Sequence, residues 1–325
     1  MALLLTESDV RDLLPPADLI SIIEQALSAF SSGQVTQPVR TALQVPPRNF
    51  FGVMPAYMPS PAALGIKLVT VFNENAARGL PTHLATILLF DPETGALDVI
   101  MDGRYITEMR TAVVSAVAVK RLARTDAAVL AVLGSGVQAR SHVELLTHVC
   151  PFREIRAWSP TRDHLDKFVS DAAVISSVPL HAAISAEQAV RGADVIALVT
   201  SSNTPVIQDA WVSPGALVIA VGACRPDARE MDPVLVARGR VIVDSRAAAL
   251  MEAGDIIQGI REGRWTERHI AGELGEVILG RTPGRTAPDE IVIFKSLGLA
   301  VEDVASAQMV LTRARAQGKG REIQM

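Results

Sequence analysis

From about residue 120 onward, short aliphatic runs alternate with helix-compatible stretches, at residues 128–133, 155–158, 195–200, 217–221 and 241–244. Each run is apolar on both faces, which suits a parallel sheet covered on either side by helices. This spacing predicts an α/β fold: a doubly wound parallel sheet of the Rossmann type over residues 120–302. The first run leads directly into Gly134-Ser135-Gly136-Val137-Gln138-Ala139, a G-x-G-x-x-A turn followed by helix-compatible sequence. In such a turn the first glycine permits the sharp reversal, and the second lets backbone approach a pyrophosphate. The small third residue allows close helix–strand packing, with the helix N-terminus facing the anion. A dinucleotide is therefore the expected ligand of this loop, through Gly134, Ser135, Gly136, Val137 and Gln138.

An acidic residue at the end of the second run would select NAD by accepting from the ribose 2′-hydroxyl. The run at 155–158 ends instead in Ser159-Pro160-Thr161-Arg162. Ser159, Thr161 and Arg162 are suited to a 2′-phosphate, so NADPH is the expected cofactor, with NADH also possible. Thr200, Val221 and Ala223, at or just beyond the ends of later runs, complete the expected cofactor contacts.

The region before residue 120 has a different texture. Leu19, Ile22, Ile23, Ala26, Leu27 and Phe30 mark one face of a helix after Pro15-Pro16, which stops near Gly33. β-rich stretches follow at 64–72, 83–90 and 97–101, the last two joined by an Asp91-Pro92-Glu93-Thr94-Gly95 turn. A final helix over 297–317 is expected to return to this region. The first domain is then discontinuous, residues 1–119 plus 303–325, an α+β unit with a mostly antiparallel sheet.

Three cations in that unit stand out. Arg40 precedes a strand-like stretch. Lys67 interrupts a strand that reads apolar on both faces, where a lone ammonium is costly unless paired. Arg110 is expected in the first turn of a helix with Thr107 at its N-cap, facing the positive end of the dipole. Together they either salt-bridge to Asp or Glu or form a pocket for a small carboxylate, with His83 and Thr111 as further hydrogen-bonding groups.

Composition narrows the classes. The chain has 325 residues, 49% of them hydrophobic and 20% charged, with a formal charge of −4. That supplies core for about two domains and shows no electrostatic footprint for nucleic acid or anionic membrane. The apolar runs fall far short of the roughly 18 residues a spanning helix needs. Met-Ala-Leu-Leu-Leu lacks a basic leader, so no secretory signal is expected. Two distant cysteines and six histidines without metal-binding spacing point to a reducing cytoplasm and to no dedicated metal site.

Several motifs, in order along the chain, resemble the ornithine cyclodeaminase/mu-crystallin family. They are Gln37-Pro38-Val39-Arg40-Thr41, Gly52-Val53-Met54-Pro55-Ala56-Tyr57, Lys67-Leu68-Val69-Thr70, Met101-Asp102-Gly103 and Arg110-Thr111-Ala112. The glycine turn, Glu273-Leu274-Gly275-Glu276 and Phe294-Lys295-Ser296-Leu297-Gly298 complete the set. The resemblance implies a homodimer whose first domain serves substrate binding and dimerisation. It also implies that Arg40, Lys67 and Arg110 hold a substrate carboxylate, with Lys67 and Arg110 as the catalytic pair.

Where cyclodeaminases carry an aspartate, in a loop after the fourth cofactor-domain strand, this chain has Gly222-Ala223-Cys224-Arg225-Pro226. Loss of that carboxylate favours the shorter chemistry of the ketimine reductase branch. The implied activity is NAD(P)H-dependent reduction of small cyclic imino acids, Δ1-pyrroline-2-carboxylate and Δ1-piperideine-2-carboxylate. The alternatives are an ornithine cyclodeaminase, an amino-acid dehydrogenase, or an NADPH-dependent ligand-binding protein without turnover.

Overall fold

The computed structural model describes residues 1–47 and 49–324, and the chain divides into two compact units, Met1–Thr111 with Gly298–Met325, and Ala112–Leu297. The sequence reading placed these seams at 119/120 and 302/303. The first seam falls inside a continuous helix, Arg104–Leu122.

Among the described residues, the first unit contains a seven-stranded sheet. Its spatial order is Arg321–Ile323, Ala2–Leu5, Leu97–Asp102, His83–Phe90, Ala62–Val71, Asn49–Pro59, Thr41–Val45. All neighbouring pairs are antiparallel except Ala2–Leu5 with Leu97–Asp102. The first helix, Glu7–Leu13, starts at a capping box in which Thr6 and Asp9 satisfy each other's backbone N–H. The next, Pro16–Ser31, has proline at its first position and buries Leu19, Ile23, Ala26, Leu27 and Ala29. The helix Ala300–Gln317 lies against it and against the strands Asn49–Pro59, Ala62–Val71 and His83–Phe90.

That packing buries one face of each central strand. Along Ala62–Val71 the buried positions are Ala63, Gly65, Lys67 and Val69, while Leu64, Ile66 and Leu68 are only half-buried. In sequence the strand reads as apolar on both faces. Instead it alternates, as an antiparallel strand with one covered face does, and its lysine is on the covered side.

The second unit is built on an eight-stranded sheet among the described residues, parallel throughout. Its order is Ile270–Glu273, Arg240–Val243, Val292–Lys295, Leu217–Ala220, Val195–Leu198, Val129–Leu133, Glu154–Trp158, Leu180–Ala182. The strand order reverses between Val129–Leu133 and Val195–Leu198, the switch point at which doubly wound sheets bind ligands. Val195–Leu198 and Leu217–Ala220 are buried at every position, as their unbroken apolar runs require, and so is Val292–Lys295, whose last residue is a buried lysine. No single helix of the described residues is long and apolar enough to cross a membrane.

Candidate functional site

In the first unit an ionic cluster forms around Lys67, which is 1% exposed. Its ammonium lies 2.6 Å from Asp303 Oδ2. Arg110 Nε donates to Asp303 Oδ1 at 2.9 Å, and Arg110 Nη1 donates to Glu302 Oε2 at 2.9 Å. Asp303 thus bridges both cations, and Glu302 and Asp303 are fully buried on the helix Ala300–Gln317. The sequence reading left any acidic partner for these cations unspecified and singled out neither residue. The signal available was two adjacent acids opening an otherwise apolar helical stretch.

Arg110 is not in a first turn. Its helix begins at Arg104, where Asp102 Oδ1 accepts from the backbone N–H of Arg104 at 3.0 Å and of Tyr105 at 3.4 Å. Thr107, expected as the N-cap, is inside the helix and its hydroxyl donates back to the Gly103 carbonyl at 2.7 Å. Asp102 caps the helix earlier, and a mid-helix threonine bonds to its own preceding turn. The compensation for the Arg110 charge is therefore the carboxylate pair rather than an anion at a helix end. Thr111 is buried and likewise donates to the Thr107 carbonyl, at 2.7 Å.

Burial pushes the Lys67 ammonium down to about 8; Asp303 opposes that fall, while Arg110 and Arg40 add to it by repulsion. Burial also tends to raise the Asp303 carboxyl, but Arg110 and Lys67 outweigh it and hold the group below its ordinary value. His83, at the start of its strand, is pushed down to about 4, by burial and then by Lys67 and Arg110. Its imidazole is neutral at ordinary pH. Arg40, half-buried ahead of the Thr41–Val45 strand, is close enough to act on Lys67 electrostatically. The segment before it is tied down by Gln37, whose Oε1 accepts from the Val301 N–H at 2.9 Å. Lys67 and Arg110 thus sit against the carboxylates of Asp303 and Glu302, with Arg40 near Lys67.

In the second unit the glycine turn closes the strand Val129–Leu133 and opens the helix Val137–Val149. Gly134 has φ +123°, and a Cβ there would sit 2.5 Å from the Val199 carbonyl oxygen. Gly136 is the N-cap, without a side-chain cap, and open space surrounds the position its Cβ would take. Backbone N–H groups at that end can therefore reach an anion, which fits a pyrophosphate. Val137 is exposed, Gln138 Oε1 is buried without a hydrogen-bond partner, and Ala139 is fully buried against the sheet side. Ser135 Oγ donates to Ser159 Oγ at 3.0 Å, joining the glycine turn to the end of the next strand. Thr161 caps the following helix by position only, and exposed Arg162 pairs with Asp166 at 2.9 Å.

Thr200 lies just past the strand Val195–Leu198, and Val221 and Ala223 just past Leu217–Ala220. Ala223 is buried, and its N–H donates to Glu230 Oε2 at 3.0 Å. Cys224, in the adjoining loop, donates its thiol to the Val221 carbonyl at 3.2 Å. Beneath these loops lies a second buried ionic group, Glu230, Asp255 and Lys295, to which sequence reasoning had assigned no role. Among the described residues no three His, Cys, Asp or Glu side chains are grouped to hold a metal ion.

Comparison with known proteins places this geometry. Residues 1–318 match the model of the ornithine cyclodeaminase/mu-crystallin family. Mouse ketimine reductase mu-crystallin is 44% identical over 315 residues, covering 94% of this chain and 95% of its own. The Thermococcus litoralis Δ1-pyrroline-2-carboxylate reductase, solved with NADH and L-proline, superposes with a TM-score of 0.96 at 35% identity, covering 99% of this chain and 100% of that one. An archaeal alanine dehydrogenase dimer with bound NAD gives 0.94 at 31% identity, covering 99% of this chain. The chain belongs to the ornithine cyclodeaminase/mu-crystallin family.

Proposed function

We infer that the protein is an NAD(P)H-dependent oxidoreductase that reduces the C=N bond of small cyclic ketimine carboxylates. Δ1-Pyrroline-2-carboxylate would give L-proline, and Δ1-piperideine-2-carboxylate would give L-pipecolate. The observation that carries this reading is the buried Lys67–Asp303–Arg110 cluster, with Arg40 beside it, in a chain that also has a dinucleotide turn. A cationic set of this kind suits a substrate monoanion. Holding the carboxylate is an orienting role, which removes much of the entropic cost of reaction.

The bound nicotinamide cofactor supplies a hydride to the imine carbon. The imine nitrogen takes one proton, so imine, reduced cofactor and proton become cyclic amino acid and oxidised cofactor. Lys67 is the donor that its position and lowered pKa favour, since an ammonium titrating near 8 gives up its proton more readily than an ordinary lysine. Asp303 holds the Lys67 ammonium in place, and Arg40 and Arg110 grip the carboxylate. Neutral His83 contributes a hydrogen bond. Gly134, Ser135, Gly136, Val137 and Gln138 receive the pyrophosphate. Ser159, Thr161 and Arg162 receive a ribose 2′-phosphate when NADPH is used. Cys224 provides no carboxylate to assist amine oxidation, which favours the reductase over a cyclodeaminase.

The test follows the absorbance of NADPH and of NADH with the five- and six-membered imino acids, beside an ammonia-release assay on ornithine. Ammonia release without net cofactor turnover would overturn the reductase reading. Tight binding of carboxylate ligands with no turnover of any imino acid would favour a binding protein instead.

Association with a second copy through the uncovered face of the first unit's sheet is also part of this reading. Leu64, Ile66, Leu68 and Leu88 are half-buried there, beside Leu43, Tyr57 and Leu84 at 61%, 38% and 40% exposed. An apolar face of this extent is the kind that homodimers cover. Cys150 and Cys224 are both reduced thiols, which favours a cytoplasmic location.

A further inference from the structure

Glu230 is fully buried, yet its carboxylate accepts four hydrogen bonds from two separate strand ends. Oε1 accepts from the Thr200 N–H at 2.9 Å and the Thr200 hydroxyl at 2.5 Å. Oε2 accepts from the N–H of Gly222 at 2.7 Å and of Ala223 at 3.0 Å. The two loops meet closely over it: a Cβ on Gly222 would sit 2.0 Å from the Thr200 carbonyl oxygen and 2.5 Å from Glu230 Oε1.

Glu230 is itself fixed from behind. Its own N–H and that of Met231 donate to Asp255 Oδ1 at 2.9 and 3.0 Å, and Lys295 Nζ lies 3.2 Å from Asp255 Oδ2. Burial, with the neighbouring Asp255 charge, raises the Glu230 carboxyl above its ordinary value, and the Lys295 charge and the Thr200 hydrogen bonds limit that rise. Burial likewise tends to neutralise Lys295, but Asp255, Cys224 and Glu230 outweigh it and raise its pKa. The case for a carboxylate here is geometric: four donors converge on its two oxygens, and a proton on either oxygen would face one of them.

The place of these loops gives the cluster its meaning. The pyrophosphate belongs at the end of the Val129–Leu133 strand, and the adenosine ribose toward Ser159 on one side of it. The nicotinamide half then falls on the opposite side of the switch point, at the ends of Val195–Leu198 and Leu217–Ala220. Those are the two ends that Glu230 ties together.

We propose that Glu230, held by Asp255 and Lys295, is a positioning residue that sets the spacing of the Thr200 and Gly222–Ala223 loops and so docks the nicotinamide half of the cofactor. It acts through the loops, because its own side chain has no exposed surface. The inference rests on the dinucleotide reading of this unit but not on the identity of the imine substrate.

Glu230→Gln tests it with almost no change in shape. Every hydrogen on the backbone groups around the carboxylate points at it, so an amide NH2 meets at least one N–H donor in either orientation. Calorimetric titration of the full chain compares NADH with ADP, and NADPH with 2′-phospho-ADP; each fragment lacks the nicotinamide riboside half. Glu230→Gln is expected to weaken the whole dinucleotides by about tenfold or more while leaving the fragments within about twofold. Equal weakening of dinucleotide and fragment, or no weakening of either, would overturn the proposal. Should Glu230→Gln fail to fold, Asp255→Asn decides by the same comparison, with a selective loss of about threefold expected from the loosened hold on Glu230. Because these titrations contain no imino acid, they can fail while the reductase assay succeeds, and the reverse.

Discussion

Lys67 has two consequences at the scale of a single residue, with opposite signs. Its pKa of about 8 means that the ammonium needed to donate a proton is present below that pH and lost above it. The kcat/KM for imine reduction should therefore fall as pH rises through about 8. A profile flat between about 7 and 9 would remove Lys67 as the donor. For stability, the unfolded lysine titrates near ~10.4, so between about 8 and that value the unfolded chain binds more protons than the folded one. The Lys67 contribution to stability should then rise with pH across that window, read as the difference between wild type and Lys67→Met in denaturant titrations. Asp303 bridges both cations, so its loss is costly. Asp303→Ala leaves two buried cations without their shared carboxylate and should destabilise the fold by about 3–5 kcal/mol in the same measurement. Arg40→Ala and Arg110→Ala should each raise the KM for imino acid several-fold or more; unchanged kinetics would take the carboxylate grip out of the account.

At the scale of elements, the helix Ala300–Gln317 does most to assemble the first unit. It buries Val301, Val304, Ala307, Val310 and Leu311 while placing Glu302 and Asp303 against Lys67 and Arg110. Leu311→Ala is expected to cost about 2–5 kcal/mol by thermal or denaturant unfolding. A loss below about 1 kcal/mol would mean that the site relaxes around the cavity. The glycine turn, by contrast, is a local device. Gly134→Ala should impair dinucleotide binding, since its φ of +123° and the Val199 carbonyl leave no room for a methyl group. This difference in range explains what could be read in advance. The strand–turn–helix around Gly134 is contiguous, and its chemistry is written in six consecutive residues. The ion cluster joins Arg110 to an aspartate 193 residues further along the chain, and no periodicity announces such a pairing. Thr107 was read as a helix cap because threonine caps helices in general; Asp102, with its carboxylate aimed at two backbone N–H groups, caps this one. Glu230 stands in a loop, where neither helical nor strand spacing marks a buried position.

Across the whole molecule, the doubly wound sheet was legible from its unbroken aliphatic runs, whereas the first sheet's uncovered face was not. Leu64, Ile66 and Leu68 look like core in the sequence, and only the one-sided packing of helices reveals them as a surface. The proposed association through this face predicts a dimer in light scattering that becomes a monomer when Ile66 and Leu88 are replaced by glutamate; a dimer that persists would place the interface elsewhere. The chain leaves the first unit at Thr111 and re-enters it at Gly298. During synthesis the middle of the polypeptide is therefore complete while the opening strands still await their last helix. Lys67 and Arg110 emerge from the ribosome before Glu302 and Asp303 are translated, so a nascent chain carries a half-covered sheet until that segment arrives. Translation that stalls within the final helix should leave a competent nucleotide-binding body tethered to an unfinished partner, a species that chaperones and proteases would meet first.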